Sequence, residues 1–192
     1  DGSLVWIGGI GTHPLYGTPE KYYIRKANSN GTTIWTQYYD DIRLNSLDKT
    51  YDGGYVFLGT KGGDGEGQFS LTKVDANGTT IWSNEYNSGI SGTHAGYSVD
   101  EALDGGFIMT GYRFTNLGSE GDMQIWIQKV DIDGNSEWNN GQSYPNYNPS
   151  WGNSSYWDWA YSVKATSECG YIFTGYTIQD ASTWGADSNT GH

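Results

Sequence analysis

The sequence is short of cysteine and of long apolar runs, and each shortage excludes a class of protein. Cys169 is the single cysteine among 192 residues, so an internal disulfide and a metal site built from several cysteines are both excluded. A nucleophilic role for this thiol would need a nearby histidine, which the surrounding sequence does not supply. The longest apolar runs are only about four or five residues long, and Tyr55-Val56-Phe57-Leu58 is an example. A helix that spans a bilayer needs roughly 20 apolar residues. We therefore expect no membrane insertion.

Basic residues are also scarce. Ten lysines and arginines stand against 22 aspartates and glutamates, and the formal net charge is −12. An electrostatic field of this sign repels phosphate backbones and anionic lipid headgroups. Nucleic acid and membrane surfaces are therefore not expected as partners, whereas cations such as calcium are attracted.

Glycine and aromatic residues are abundant, with 29 Gly, 16 Tyr and 9 Trp but only 4 Pro. Glycine accepts the positive φ angles of tight turns, and aromatic side chains favour the pleated surface of a strand. The good helix formers never cluster with a period of 3.6 residues. This composition predicts an all-β protein of short strands joined by tight turns.

One phrase recurs along the chain. The copies of this ten-residue motif are YDGGYVFLGT at 51–60, LDGGFIMTGY at 103–112 and SECGYIFTGY at 167–176. A divergent copy, DGSLVWIGGI, lies at 1–10. The acidic residue of the motif, Asp1, Asp52, Asp104 and Glu168 in the four copies, returns at intervals of 51, 52 and 64 residues. A period near 50 residues is typical of repeat architectures. We interpret the chain as a single repeat domain, 1–192, with repeats at 1–51, 52–103 and 104–167, a partial repeat at 168–192 and an aromatic insertion at 139–159.

Each repeat contains four strand-like runs separated by short turns. The turns before the fourth run are Asn30-Gly31, Asn77-Gly78 and Asp133-Gly134. Such dipeptides between alternating runs predict hairpins with type I′ turns, in which both central residues have positive φ. In the third repeat the predicted fourth strand spans 136–144.

Four antiparallel strands repeated every ~50 residues describe the blade of a β-propeller. The sequence therefore predicts β-propeller-type, four-stranded antiparallel blades, about three to three and a half of them, in a partial or open propeller. Trp35, Trp82 and Trp138 each follow the turn glycine of their repeat at the same distance, and each is predicted to pack against the neighbouring blade.

The order of these features resembles the repeat of large secreted β-propeller proteins of bacteria and archaea. The shared pattern is D-G-G-[YF]-[IV]-x-x-G followed by x-[WL]-[IT]-x-K-x-D-x-x-G-x-x-x-W, and it covers nearly the whole chain. Two positions depart from it: Asn28 replaces the Asp before the hairpin turn, and Glu168-Cys169 replaces Asp-Gly. The resemblance implies a propeller fold and an extracellular or cell-surface location, and it implies no reaction.

The number of strands predicts an incomplete ring. About thirteen strands can be counted, whereas a closed propeller needs at least four blades of four strands. Open blade edges pair readily with other strands, so a free monomeric arc is disfavoured. We therefore expect self-association, for example by strand addition from a neighbouring subunit, or further blades in a longer parent chain.

An oxygen-rich stretch, KVDIDGNSEW, raises the hypothesis of a metal site. Asp131, Asp133 and Asn135 alternate there like the first ligands of a calcium loop, and Glu137 continues the series. The alternative is a hairpin tip whose Asp and Asn side chains serve the turn, since no bidentate Glu follows at the calcium-loop distance. Calcium is the only cofactor that the sequence suggests, and both interpretations stay open.

Three N-x-[ST] sequons, at Asn30, Asn77 and Asn153, make N-glycosylation a further hypothesis. The first two are predicted at hairpin tips, where a glycan can be attached. The alternative is that Asn-Gly-Thr occurs at these tips only because Asn and Gly are favoured in turns.

The insertion at 139–159 combines aromatic residues with Asn and Ser. Trp151, Tyr156, Trp157 and Trp159 are the candidate carbohydrate-binding residues, because flat aromatic faces beside amide groups suit sugar rings. The alternative is that these rings pack within the loop, against adjacent blades or against a partner subunit.

Catalytic motifs are lacking: the sequence has no G-x-S-x-G, no H-E-x-x-H and no glycine-rich phosphate loop. Neighbouring carboxylates such as Asp100 and Glu101 point to opposite faces if they lie in a strand. We therefore expect a non-catalytic extracellular module that serves as a surface scaffold, adhesion or assembly unit. The alternatives are a carbohydrate-binding module or a segment of a secreted carbohydrate-active enzyme, and a filament-forming structural subunit.

Overall fold

The computed structural model describes residues 2–11, 19, 21–62, 67–87, 92–115, 122–138, 141–144 and 156–179. These residues form antiparallel β-sheets and no helix, which confirms the all-β prediction. Nothing in these ranges is a helix long and apolar enough to cross a membrane.

The strands form sheets in the order of the chain. The first sheet contains β1 (Leu4–Ile10), β2 (Lys21–Ala27) and β3 (Thr33–Tyr39). The second contains β4 (Ile42–Lys49), β5 (Tyr55–Lys61), β6 (Gln68–Val74) and β7 (Thr80–Tyr86). The third contains β8 (His94–Glu101), β9 (Phe107–Thr115), β10 (Asp122–Val130) and the short β11 (Gln142–Tyr144). Within the described ranges, no sheet closes on itself.

Two further strands form a terminal hairpin, β12 (Tyr156–Ala165) and β13 (Tyr171–Gln179). A single parallel pairing of Met123 with Trp157 joins this hairpin to the third sheet. By the repeat alignment β12 corresponds to β4 and β8, and β13 corresponds to β1, β5 and β9. We call β4, β8 and β12 the lead strands.

The predicted hairpins form, but the type I′ turn is wrong. Gly31, Gly78 and Gly134 have φ between 80° and 83°, whereas the residue before each glycine does not have positive φ. A single left-handed residue at the end of the turn is typical of a three-residue loop that ends in a bulge. The cause is the Asn or Asp that opens the turn: Asp75 Oδ1, for example, accepts hydrogen bonds from the amides of Asn77 and Thr79, both at 2.8 Å.

The predicted strand at 136–144 is interrupted. Ser136 makes an isolated bridge to Val130, and regular pairing resumes only at β11. The side chain of Gln128 fills the break, because its Nε2 donates to Ser136 Oγ at 2.6 Å and to the Trp138 carbonyl at 3.0 Å. The Gln128 side chain thus bonds to the stretch that lacks regular strand pairing, beside the hydrogen bond from the Glu137 amide to the Lys129 carbonyl at 3.0 Å.

Successive sheets are joined by a contact that recurs three times along the described chain. The three tryptophans pack edge-on against the first aromatic residue of the following repeat, and the ring-centroid distances are 6.0 Å for Trp35–Tyr55, 5.8 Å for Trp82–Phe107 and 5.8 Å for Trp138–Tyr171. The indole N–H of Trp35 donates to the Ala76 carbonyl and that of Trp82 to the Ile132 carbonyl, both at 3.1 Å. The prediction that each of these tryptophans packs against the neighbouring repeat is confirmed.

The lead strands form a second recurring joint. Ser46 Oγ accepts a hydrogen bond from the Val99 amide at 3.2 Å, and Ser98 Oγ accepts one from the Val163 amide at 3.1 Å. Each serine belongs to one lead strand and each donor to the next, so β4, β8 and β12 lie side by side.

The core lies between the sheets. One apolar cluster joins the first and second sheets around Ile24 and Phe57, and another joins the second and third around Leu58 and Phe107. A third, around Ile108, joins the third sheet to the terminal hairpin. The second sheet is thus covered on both faces, and β5 and β6 are almost wholly buried.

Candidate functional site

Each lead strand carries a β-bulge at the same position of its repeat. The register with the following strand shifts between Leu44 and Ser46, between Gly96 and Ser98, and between Ala160 and Ser162. The extra residues are Asn45, Tyr97 and Tyr161. A bulge takes one residue out of the ladder and re-aims its side chain. The repeat therefore brings one Asn and two Tyr side chains to equivalent points of three adjacent strands.

Six aromatic rings form a continuous surface around these bulges, which we call the aromatic strip. Its ring-centroid distances are 5.9 Å for Trp157–Trp159, 4.7 Å for Trp159–Tyr176, 5.9 Å for Tyr176–Tyr161, 5.4 Å for Tyr161–Tyr97 and 5.8 Å for Tyr97–Tyr112. Two of these pairs, both involving Tyr176, are stacked. Residues from β8, β9, β12 and β13 thus share one aromatic surface.

The strip is partly open to solvent. Trp157, Tyr161 and Tyr176 are exposed, whereas Tyr97 and Tyr112 are half-buried. Burial raises the pKa of Tyr97 to about 12, and nearby Arg43 opposes this shift only in part. Tyr97 therefore keeps its phenolic proton at neutral pH and offers both a hydrogen-bond donor and an acceptor beside an apolar ring face.

The side chain of Asn45, the third bulge residue, is hydrogen-bonded within the protein. Its Nδ2 donates to the Gly96 carbonyl at 2.7 Å and lies 3.4 Å from Thr60 Oγ1. The side chain therefore ties the lead strand of the second sheet to that of the third at the edge of the strip.

The structure brings together two of the four candidate carbohydrate-binding residues. Trp157 and Trp159 are at 5.9 Å and belong to the aromatic strip. Tyr156 begins β12, and its side chain lies outside the described residues, as does Trp151. The four tyrosines of the strip were not predicted. Their signal in the sequence is positional, because Tyr97 and Tyr161 precede the recurring serine while Tyr112 and Tyr176 follow the recurring glycine.

The candidate calcium residues lie at a hairpin tip and bond one another. Asp131 Oδ1 accepts hydrogen bonds from the amides of Asp133 at 3.0 Å and Asn135 at 2.7 Å, and its Oδ2 accepts one from Asn135 Nδ2 at 3.0 Å. These bonds, above all those from Asn135, lower the pKa of Asp131. Glu137 pairs with Lys129 at 2.6 Å. Within the described ranges, no group of three or more His, Cys, Asp or Glu side chains is placed to hold a metal ion.

Two of the three sequon asparagines are exposed where a glycan could be attached. Asn30 and Asn77 lie at equivalent hairpin tips, and the backbone amide of each donates to the side chain that opens its turn. Asn153 lies outside the described residues. N-glycosylation at the three positions remains a prediction.

A small ionic cluster joins the lead strands beyond the bulges. Asp48, Asp100 and Lys164 occupy the same position of three repeats; Lys164 Nζ contacts Asp100 Oδ1 and lies 3.8 Å from Asp48 Oδ2. Burial, and then the neighbouring Asp100 carboxyl, raise the pKa of Asp48, whereas the hydrogen bond to Asp100 raises the pKa of Lys164. Asp100 Oδ2 also accepts a hydrogen bond from the Ala165 amide at 2.7 Å. The cluster thus links neighbouring repeats.

Asp100 and Glu101 point to opposite faces, as predicted for adjacent residues of a strand. Asp100 reaches forward to Lys164 of the terminal hairpin, while Glu101 Oε2 accepts a hydrogen bond from the Tyr51 amide of the preceding repeat at 2.6 Å. The two carboxylates serve two different joints.

Comparison with known proteins gives no family. No protein-family model matches the chain, and no curated protein matches it either.

Proposed function

We propose that this chain is a β-propeller-type repeat module and serves as a non-catalytic scaffold, adhesion or assembly unit at the cell surface. The observation that carries this proposal is the joint between sheets, in which a tryptophan contacts the first aromatic residue of the next repeat three times over. Repeats that each make the same contact with the next repeat favour an extended rigid array.

The arrangement of the lead strands supports the propeller. β4, β8 and β12 are neighbours through the serine hydrogen bonds and the ionic cluster, while the other strands of each sheet follow outward in order. In a propeller blade the first strand lies next to the axis, and the remaining strands are added away from it.

Two experiments test this proposal. An experimentally determined structure should place the lead strands around a common axis, and lead strands in a straight row would contradict a propeller. Antibody labelling of intact source cells should detect the protein at the surface, and signal only after permeabilisation would contradict the location.

A second candidate function is carbohydrate binding, which the aromatic strip favours. Its exposed ring faces and neutral hydroxyl groups are suited to stacking and hydrogen bonding with sugar rings. Screening on a glycan array should identify a ligand, and titration with that ligand should change tryptophan fluorescence.

Variants distinguish specific carbohydrate binding from non-specific binding. Trp157→Ala and Tyr161→Ala should weaken glycan binding at least tenfold if each ring contributes about 1.4 kcal/mol or more. Tyr51→Ala, which removes an aromatic ring that is 73% exposed but lies in a turn away from the strip, should leave binding unchanged. Release of reducing sugar from the same ligand would instead favour a carbohydrate-active enzyme.

A further inference from the structure

Some exposed apolar residues belong to the repeat itself. Ile34 in β3 and Ile81 in β7 are equivalent, and they are 55% and 54% exposed. The second sheet is covered on both faces, yet Ile81 is as accessible as Ile34. Exposure at this position therefore does not indicate a missing neighbour.

Other exposed apolar residues have equivalents that are buried. Leu4 in β1 is 60% exposed, whereas its equivalents Tyr55 and Phe107 are 7% and 0% exposed. Ile172 in β13 is also 60% exposed, whereas its equivalents Val56 and Ile108 are both fully buried. The difference is confined to the first sheet and the terminal hairpin, where a neighbouring sheet is missing from the described structure.

The two exposed residues lie on opposite faces of their repeats. In the second sheet, Tyr55 and Phe57 contact the preceding sheet, while Val56 and Leu58 contact the following one. Leu4 therefore lies on the face that normally meets a preceding sheet. Ile172 lies on the face that normally meets a following sheet.

We call the first surface the N-face; it carries Leu4, Trp6, Tyr23, Arg25 and Tyr38. Its side chains contact one another: the Arg25 guanidinium lies 4.9 Å from the Tyr23 ring centroid and 5.9 Å from that of Trp6. Tyr23 and Tyr38 are 6.3 Å apart. Trp, Tyr and Arg are the residues that contribute most to protein interfaces, so the N-face has the composition of a docking surface.

The complementary surface is the C-face of the terminal hairpin, which carries Ser162, Ile172 and Thr174. Ser162 is equivalent to Ser46 and Ser98, whose hydroxyl groups accept backbone amides across the two internal joints. All three C-face side chains are exposed. The C-face thus carries the apolar and hydroxyl positions that meet a following sheet at the internal joints, and the N-face carries the apolar positions that meet a preceding one.

We propose that a second copy of this chain covers these faces head to tail, with the N-face of one copy on the C-face of the other. This inference rests on the proposed repeat scaffold and extends it by naming the partner. The internal joints supply the argument, because equivalent positions are buried wherever a neighbouring sheet is present. Such an interface is heterologous, so it produces a closed ring or an open filament.

Mass measurements test the association itself. Sedimentation velocity of the full chain should show a mass above that of the 21.1 kDa monomer that rises with protein concentration or reaches the plateau of a ring. A monomer at every concentration up to the millimolar range would overturn the proposal.

A complementation experiment tests its head-to-tail geometry. Leu4→Asp disables the N-face and Ile172→Asp disables the C-face, and each variant alone should be monomeric. An equimolar mixture should form a 1:1 heterodimer, because each variant keeps the face that the other lacks. Ile81→Asp is the matched control, since it places the same charge at an equally exposed isoleucine, and it should assemble like the wild type.

The alternatives give different results. Pairing of like faces would leave one single variant dimeric and would give no heterodimer. Circular dichroism and urea unfolding of each variant check that loss of assembly is not loss of folding. The proposed scaffold role is tested separately, by the arrangement of the lead strands around a common axis and by antibody labelling of intact cells. If the protein passes those two tests but stays monomeric, only the head-to-tail association is disproved.

Discussion

At the scale of single residues, the turn after each lead strand requires one left-handed residue. Gly53 and Gly105 provide it with φ of 87° and 80°, and Cys169 provides it in the last repeat with φ of 62°. Among the described residues Cys169 alone combines a β-carbon with positive φ. Its side chain is exposed in the turn. The departure from the repeat motif is thus also a point of backbone strain.

The substitution Cys169→Gly should therefore stabilise the protein. Removing the β-carbon relieves a left-handed conformation that costs about 1–2 kcal/mol, and the greater freedom of unfolded glycine offsets about 0.5–1 kcal/mol of this gain. We expect the free energy of unfolding in urea to rise by roughly 0.5–1 kcal/mol. Cys169→Ala keeps the β-carbon and should have little effect; an equal gain from both variants would contradict the explanation.

A second residue-scale feature is the pairing of the recurring Lys with the recurring Asp. Lys73 Nζ lies 2.7 Å from Asp52 Oδ2, and Lys129 Nζ lies 2.9 Å from Asp104 Oδ2. Both amines are buried, whereas both carboxylates are about half exposed. The Lys73 hydrogen bond, with further bonds from Thr50 and Gly54, lowers the pKa of Asp52 from 3.8 to about 2.

This pairing predicts a defined dependence of stability on pH. Because the pKa of Asp52 is lower in the folded state, its contribution is complete above about pH 4 and is lost as the pH falls toward 2. Asp52→Asn should reduce the free energy of unfolding at pH 7 by about 1 kcal/mol and flatten the loss between pH 4 and 2. Asp40→Asn, which disrupts the exposed Lys21–Asp40 pair, is the control and should change neither. Parallel pH profiles for Asp52→Asn and wild type would contradict the assignment.

At the scale of elements, most of the strands could be predicted from the sequence because alternation, Asn-Gly turns and the Asp-Gly-Gly phrase are local signals. The bulges at Asn45, Tyr97 and Tyr161 could not, since a bulge is a property of the register between two strands. The interruption after Ser136 was missed for a similar reason, as it depends on where the Gln128 side chain reaches. The aromatic strip follows from these registers, so only its two tryptophans could be predicted from the sequence.

The joint between sheets can be tested at Trp82, which contacts Phe107 and donates its indole N–H to Ile132. Trp82→Ala should lower the free energy of unfolding by about 2–4 kcal/mol, because a half-buried ring and its aromatic contact are lost. Trp82→Phe retains a ring without the N–H and should cost only about 1 kcal/mol. Urea unfolding gives both values, and equal losses for the two variants would show that the hydrogen bond, not the packing, holds the sheets together.

At the scale of the whole molecule, stability should be highest in the second sheet and lower toward both ends. Each sheet is held by its neighbours, and the second sheet alone lies between two described sheets that cover both of its faces. In β5 five consecutive residues are buried, whereas the residues of β13 are largely exposed. Repeat arrays of this kind derive their stability from nearest-neighbour interfaces, so the ends open before the middle.

Hydrogen exchange of the native protein tests this order. The amides of β5 and β6 should exchange most slowly, those of β9 and β10 next, and those of β1 and β13 fastest, because β1 and β13 lie in the sheets with exposed faces. Head-to-tail assembly would cover these faces, so protection of β1 and β13 should rise with protein concentration while that of β5 stays constant. In Leu4→Asp the concentration dependence should disappear. Uniform exchange over all three sheets would mean that the repeats unfold as one unit, and the account of stability built from successive joints would then fail.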